Sequence, residues 1–144
     1  MTLIEIEFGS DNYTKECKLR NEVLRVPIGL NLFDEDLSIE SQQQHFGLFE
    51  ETESLFACVV AVVCSPTEAK VRQMAVAFDH QDKGFGRKVL NFMEGKLAQQ
   101  GIKHIHLHAR MTALRFYEKS GYVRVGQEFV EVGIPHIKME KILK

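Results

Sequence analysis

Three short constellations in this chain carry groups whose type and spacing could do chemistry. The first is residues 81–88, Gln-Asp-Lys-Gly-Phe-Gly-Arg-Lys, which follow an apolar stretch around Met74, Ala75 and Val76. A strand, a glycine loop and a helix start present unpaired backbone N–H groups at a positive dipole end. That arrangement suits a phosphate or pyrophosphate. Gly84 and Gly86 would let the backbone approach such an anion without a Cβ in the way. Two familiar nucleotide motifs fail here: GxxxxGK[ST] lacks its Lys-Ser/Thr end, and GxGxxG lacks its third glycine, where Val89 stands. The second constellation is His104, His106 and His108, alternating onto one strand face, where imidazoles can converge on a metal. No carboxylate or cysteine cluster accompanies them in the sequence. The third is the set Cys17, Cys58 and Cys64, which contains no CxxC pair and no obvious nucleophile. Cys58 and Cys64 lie six apart in one expected strand, about 20 Å when extended, too far to bridge. Both read as core residues.

These groups need elements to position them. Residues 3–8 alternate Ile4, Ile6 and Phe8 with Glu5 and Glu7, a half-buried strand pattern. Ser10, Asp11 and Asn12 then offer N-cap chemistry for a helix whose stripe is Leu19, Val23 and Val26 and which Pro27 stops. Residues 28–44 read as a loop with a short helix. Residues 45–50 and 55–64 read as antiparallel strands around the turn Glu51, Thr52, Glu53 and Ser54. The second of them is apolar on both faces and therefore central. A strand over 69–76 precedes the glycine loop, and the long helix after it buries Val89, Leu90, Met93 and Leu97 before the C-cap Gly101. A strand over 102–109, a short helix over 112–120 and two strands joined through Gly133, Ile134 and Pro135 complete the chain. The order predicts one mixed α/β domain over residues 1–144.

The 144 residues are 44% hydrophobic and 26% charged, enough for a core without metal or disulfide staples. The net charge of −2 gives no pull toward nucleic acid or an anionic membrane. The longest apolar run, residues 55–64, is about half of a membrane span. The N-terminus does not read as a signal peptide, and an odd, unpaired cysteine set makes a reduced, cytoplasmic setting the expectation.

Gln81, Gly84 and Gly86, after a strand ending Met-Ala-Val, fit [RQ]-x-x-G-x-[GA]. The segment Ala113, Leu114, Arg115, Phe116, Tyr117, Glu118, Lys119, Ser120, Gly121 and Tyr122 fits A-x-x-F-Y-E-K-x-G-[FY], with room for one helix and one strand between the two. With both motifs and this element order, the chain resembles the GNAT superfamily of acetyl-CoA-dependent N-acyltransferases. The likeness extends to Gly133, Ile134, Pro135, His136 and Met139, which are similar to a subgroup of small bacterial members.

The resemblance implies a GNAT-like fold, a mixed, twisted central sheet flanked by helices. It also implies direct acetyl transfer from acetyl-CoA to a primary amine, in a small molecule or peptide, within a ternary complex. No metal is implied, and a homodimer is left open. By the same carry-over, the backbone of Met74, Ala75 and Val76 pairs with the pantetheine arm and polarises the thioester carbonyl. The backbone of Gln81, Asp82, Lys83, Gly84, Phe85, Gly86 and Arg87 holds the pyrophosphate. Lys83, Arg87 and Lys88 add local positive charge. Tyr117 becomes the expected general acid, since a phenol within reach can protonate a departing thiolate. Arg110 stands where many members carry Asn, and is assigned to the cofactor's phosphate or to a substrate carboxylate. For the acceptor, Arg25, His108, Glu128 and His136 are candidates, and Arg20 could likewise meet an acidic group. The general base is open among Glu128, Glu131, His136, His108 and a relayed water. The rival reading is a non-catalytic acyl-CoA-binding module of the same fold.

Overall fold

The computed structural model describes every residue except Thr52, so the middle of the expected 51–54 turn lies outside the described residues. Strand β1 (Thr2–Ile6) leads to helix α1 (Asp11–Leu24), and three single 3-10 turns follow at Val26–Ile28, Leu32–Asp34 and Ser38–Gln42. Strands β2 (Gln44–Phe49), β3 (Leu55–Val63) and β4 (Glu68–Val76) form a meander before helix α2 (Phe85–Gln99). Strand β5 (His104–Arg110), helix α3 (Leu114–Lys119), β6 (Val123–Glu131) and β7 (Ile134–Ile142) complete the order. The seven strands form one sheet, β1-β2-β3-β4-β5-β7-β6, antiparallel except between β4 and β5. Among the described residues no helix is long and apolar enough to cross a membrane.

The two sheet faces are covered differently. Helix α2 packs Val89, Leu90, Met93 and Leu97 onto Phe46, Val59, Ile105, Leu107 and Met139, so the expected stripe is the main core. Helix α1, capped where Ser10 Oγ accepts from the Tyr13 N–H at 3.2 Å, covers the opposite face over Cys58 and Ala75. The alternation of β5 therefore sends Ile105, Leu107 and Ala109 toward α2 and leaves His104, His106, His108 and Arg110 on the α1 side.

Helix α1 departs from its expected stripe. Val26 is exposed beyond the helix end, and the buried positions are Tyr13, Glu16, Cys17, Leu19 and Arg20. Arg20, considered for an acidic substrate group, is 0% exposed and spends its guanidinium on two carboxylates of the chain itself. Its Nη1 lies 2.6 Å from Glu16 Oε2 and 2.8 Å from Glu40 Oε1, and its Nη2 lies 2.6 Å from Glu40 Oε2. Tyr13 Oη donates to Glu40 Oε1 at 2.7 Å. His45 Nδ1 faces Glu16 Oε2 at 2.9 Å, and its Nε2 faces the Glu40 carbonyl at 2.9 Å. Both His45 partners only accept, so the geometry suits an imidazolium. Burial opposes that charge, but Glu16 and the Glu40 carbonyl outweigh it and hold the His45 pKa above its ordinary value. Two cations and two carboxylates thus form a net-neutral cluster. Glu16, Glu40 and His45 approach one another as metal ligands would, but the guanidinium already occupies both carboxylates.

Two further expectations change. Cys64 falls after the end of β3 and is exposed, whereas Cys17 and Cys58 are buried. The histidine row does acquire carboxylates through strand pairing: His104 meets Glu140 at 2.9 Å and His108 meets Glu131 at 3.0 Å.

Candidate active site

The sheet opens in its middle. Parallel pairing between β4 and β5 covers only Glu68 to Val71 against His104 to Leu107. Beyond that point the two strands have no ladder, because β4 carries an irregularity opposite Cys58 and Val60, where Gln73 takes φ 55°. The extra residue bends the strand away from β5. The β5-facing backbone of residues 72–76, including Met74, Ala75 and Val76, is thereby left for another partner. A cavity of about 450 Å³ occupies this region, bounded by Met74 on β4, Tyr117 on α3 and His108 on β5. That size suits a small-molecule site.

The glycine loop sits beside the end of β4. Gln81 Nε2 donates to the Val76 carbonyl at 3.2 Å, so the Gln81 side chain fastens the loop while its backbone stays available. Asp82 (φ 63°) and Gly84 (φ 82°) both take left-handed conformations, and Gly84 is the uncapped N-cap of α2. The N–H groups of the first turn of α2 have no side-chain cap and point out of the helix start. Gly86 has a reason beyond the one expected. A Cβ there would lie 3.1 Å from Val76 Cγ2 and 3.2 Å from the Phe116 ring, so the missing side chain permits close packing of α2. Phe85 is held by stacking on Phe56, with ring centroids 5.1 Å apart. Asp82, Lys83 and Arg87 are exposed, and neither of the two cations has an ion pair among the described residues.

Tyr117 is buried in the cavity wall, edge-on to Phe116 and Tyr122 at centroid distances of 5.0 and 5.7 Å. Tyr122 anchors this end of α3: its hydroxyl donates to Glu94 Oε2 at 2.8 Å, and Lys141 Nζ reaches Glu94 Oε1 at 2.9 Å. The Tyr117 hydroxyl has no hydrogen-bond partner among the described residues. Burial pushes its pKa up, against the smaller opposing effect of the Arg110 charge. It is a protonated phenol through neutral pH.

Opposite Tyr117, strand pairing gathers residues distant in sequence. His108 Nδ1–H donates to Glu131 Oε1 at 3.0 Å, leaving Nε2 without a partner among the described residues. Burial acts to raise the Glu131 pKa, but the His108 hydrogen bond and charge outweigh it and lower it. His136 Nδ1–H donates to the Ile134 carbonyl at 2.7 Å, with its Nε2 at 3.7 Å from Glu131 Oε2. Phe129 contacts both rings, at 5.0 Å from His108 and 6.0 Å from His136.

Arg110 and Arg25 approach from the α1 side. Arg110 Nη2 donates to the Leu24 carbonyl at 3.0 Å, against the last turn of α1 rather than the glycine loop. Arg25 Nε pairs with Glu35 Oε2 at 2.7 Å, and its Nη2 reaches Gln73 Oε1 at 3.4 Å. Of the acceptor candidates, Arg25, His108 and His136 line the cavity, while Glu128 is exposed on β6 outside it. Glu131 takes the place expected for Glu128. The sequence reading also passed over Lys70 and Arg72 of β4, which line the same cavity.

A family model for an acetyltransferase (GNAT) domain matches residues 29–143. The uncharacterized protein YyaT of Bacillus subtilis is 29% identical over 109 residues, 76% of this chain and 72% of that protein. Among solved structures, a candidate N-acetyltransferase from Lactobacillus plantarum is 22% identical, with a TM-score of 0.88 over 99% of this chain and 98% of the other. An aminoglycoside 6′-N-acetyltransferase solved with coenzyme A is 17% identical, with a TM-score of 0.75 over 99% of this chain and 97% of the other. The seven-strand sheet with its flanking helices is the fold these structures share.

Proposed function

Because this chain belongs to the GNAT family of acetyltransferases, we propose that it transfers an acetyl group from acetyl-CoA to a primary amine by direct attack in a ternary complex. The observation that carries this reading is the split between β4 and β5, with Tyr117 and His108 both lining the cavity there and the uncapped start of α2 in the loop that follows β4. The complex of an aminoglycoside acetyltransferase with coenzyme A supports an acyl-CoA donor.

Acyl-CoA supplies an activated carbonyl carbon and a thiolate leaving group. In this reading the backbone of Phe85, Gly86 and Arg87 holds the pyrophosphate, and Lys83 and Arg87 add charge at the entrance. The β4 backbone near Met74 to Val76 binds the pantetheine and donates to the carbonyl oxygen as negative charge develops there. The acceptor arrives as an ammonium ion and must lose a proton before it can attack. His108 Nε2 takes that proton, while Glu131 holds the ring through Nδ1 and keeps Nε2 turned toward the acceptor. The C–N bond forms, the C–S bond breaks, and the thiolate takes the Tyr117 proton. The amine's second proton leaves to solvent.

Acetyl-CoA titration by calorimetry, followed by thiol release against a panel of metabolite and peptide amines, tests the reading. Binding followed by amine-dependent thiol release is the expected result. Saturable binding without turnover would instead make the chain an acyl-CoA-binding module, and no binding at millimolar ligand would remove the reading altogether. For the base, His108→Gln is expected to lower kcat/KM by about 10²-fold and to flatten the acidic limb of its pH profile. A variant with the acidic limb unchanged would return the role to a relayed water.

A further inference from the structure

The cavity carries a cation that no carboxylate among the described residues neutralises. Arg110 is half-buried beside Tyr117, and its one hydrogen bond goes from Nη2 to the neutral Leu24 carbonyl at 3.0 Å. It has no carboxylate partner among the described residues, whereas the neighbouring Arg25 is already paired with Glu35 at 2.7 Å. The same cavity is lined by Lys70 and Arg72, while its one acidic lining residue, Glu131, is engaged by His108. Burial, and then the Arg25 charge, both weaken the hold of Arg110 on its proton. Such a cation costs stability until an anion arrives.

Position decides which anion. Register places Arg110 opposite His136 and two residues beyond His108, on the sheet side that α1 covers. The helix start suited to pyrophosphate belongs to α2, which packs on the other side. We propose that the acceptor is an amine that also carries a carboxylate, as a free amino acid or the C-terminal residue of a short peptide does, and that the Arg110 guanidinium receives that carboxylate. With the carboxylate on Arg110, the amine is left to approach His108 Nε2, and the planar fork of the guanidinium fixes its orientation. This inference rests on the acyl-transfer reading above.

The test compares each amino acid with its decarboxylated amine as acceptors: histidine with histamine, ornithine with putrescine, tyrosine with tyramine. The parent protein is expected to favour the carboxylate-bearing member in kcat/KM by about 10- to 100-fold. Arg110→Gln, which keeps an amide donor for Leu24, is expected to erase most of that preference with the acetyl-CoA KM unchanged. Arg110→Lys should retain part of it, and thermal melts of both variants confirm that they fold. Equal use of the two members by the parent protein would overturn the inference, as would an Arg110→Gln variant with intact preference. A raised acetyl-CoA KM with intact preference would assign the guanidinium to the cofactor's phosphate. Acetyl-CoA binding without transfer to any amine would instead defeat the enzymatic reading, and this one with it.

Discussion

Tyr117→Phe is expected to lower turnover by about 10²- to 10⁴-fold and to leave acetyl-CoA affinity near that of the parent protein. The substitution removes one oxygen and keeps the ring that packs against Phe116 and Tyr122. Since the hydroxyl has no hydrogen-bond partner among the described residues, its loss strands no buried group and costs little stability. In the proposed mechanism, what disappears is the proton for the departing thiolate. Burial keeps that proton on the phenol until negative charge develops beside it, and Arg110 favours the phenolate that results. Stopped-flow or steady-state thiol release gives the rate, and calorimetry gives the affinity. Equal turnover in the variant would remove Tyr117 as the acid, and a fall in affinity matching the fall in rate would make it a binding residue.

Arg20→Met destabilises the fold by about 3–5 kcal/mol. The side-chain volume is roughly kept, but Glu16 and Glu40 lose the cation that both share. For a chain of this length the loss corresponds to a fall in Tm of about 10–17 °C, readable by calorimetry. Its pH dependence identifies the cause. Burial would raise the Glu40 pKa, but Arg20 and Tyr13 overcome it and lower it, so the stabilisation from Glu40 is present above the carboxylate range and lost as pH falls through it. His45 works in the opposite sense. Its folded pKa lies above the unfolded one, so its contribution is full below the imidazole range and lost as pH rises through the folded value. In Arg20→Met the carboxylates gain from protonation, so the deficit relative to the parent protein narrows in acid. A deficit independent of pH would mean that packing, not charge, accounts for the loss.

Much of this molecule was legible in its sequence. Alternation in β1 as far as Ile6, the two-sided apolar run of β3 and the stripe of α2 each state how they are buried, although Phe8 lies past the end of β1 and is exposed, and two motifs located the glycine loop and Tyr117. The missed features are those that join distant positions. Tyr13, Glu16, Cys17 and Arg20 recur at i, i+3, i+4 and i+7, the spacing of a buried face, but charged members make such a face look solvated. Only Glu40 and His45, brought in by the 38–42 turn and β2, neutralise it. Likewise, Glu131 reaches His108 across 23 positions through β7, which pairs with both β5 and β6. The register shift between Val125 and Phe129 decides the choice between two nearby acids, aligning Phe129 with His136 and Glu131 with Ile134. Counting along the chain from Glu128 does not reveal that shift. The packing role of Gly86 was not legible, because its neighbours Val76 and Phe116 come from two other elements.

The separation of α1 and α2 onto opposite sides of the sheet has an evolutionary consequence. In the proposed reading, donor and acceptor meet at the gap between β4 and β5, and the rest of the sheet is a partition between two surfaces. Residues on the α1 side, among them Arg25, Arg72 and Arg110, can change without disturbing the first turn of α2. On that reading, a lineage built on this scaffold can explore new acceptors by drift on one surface while the other keeps the acyl donor.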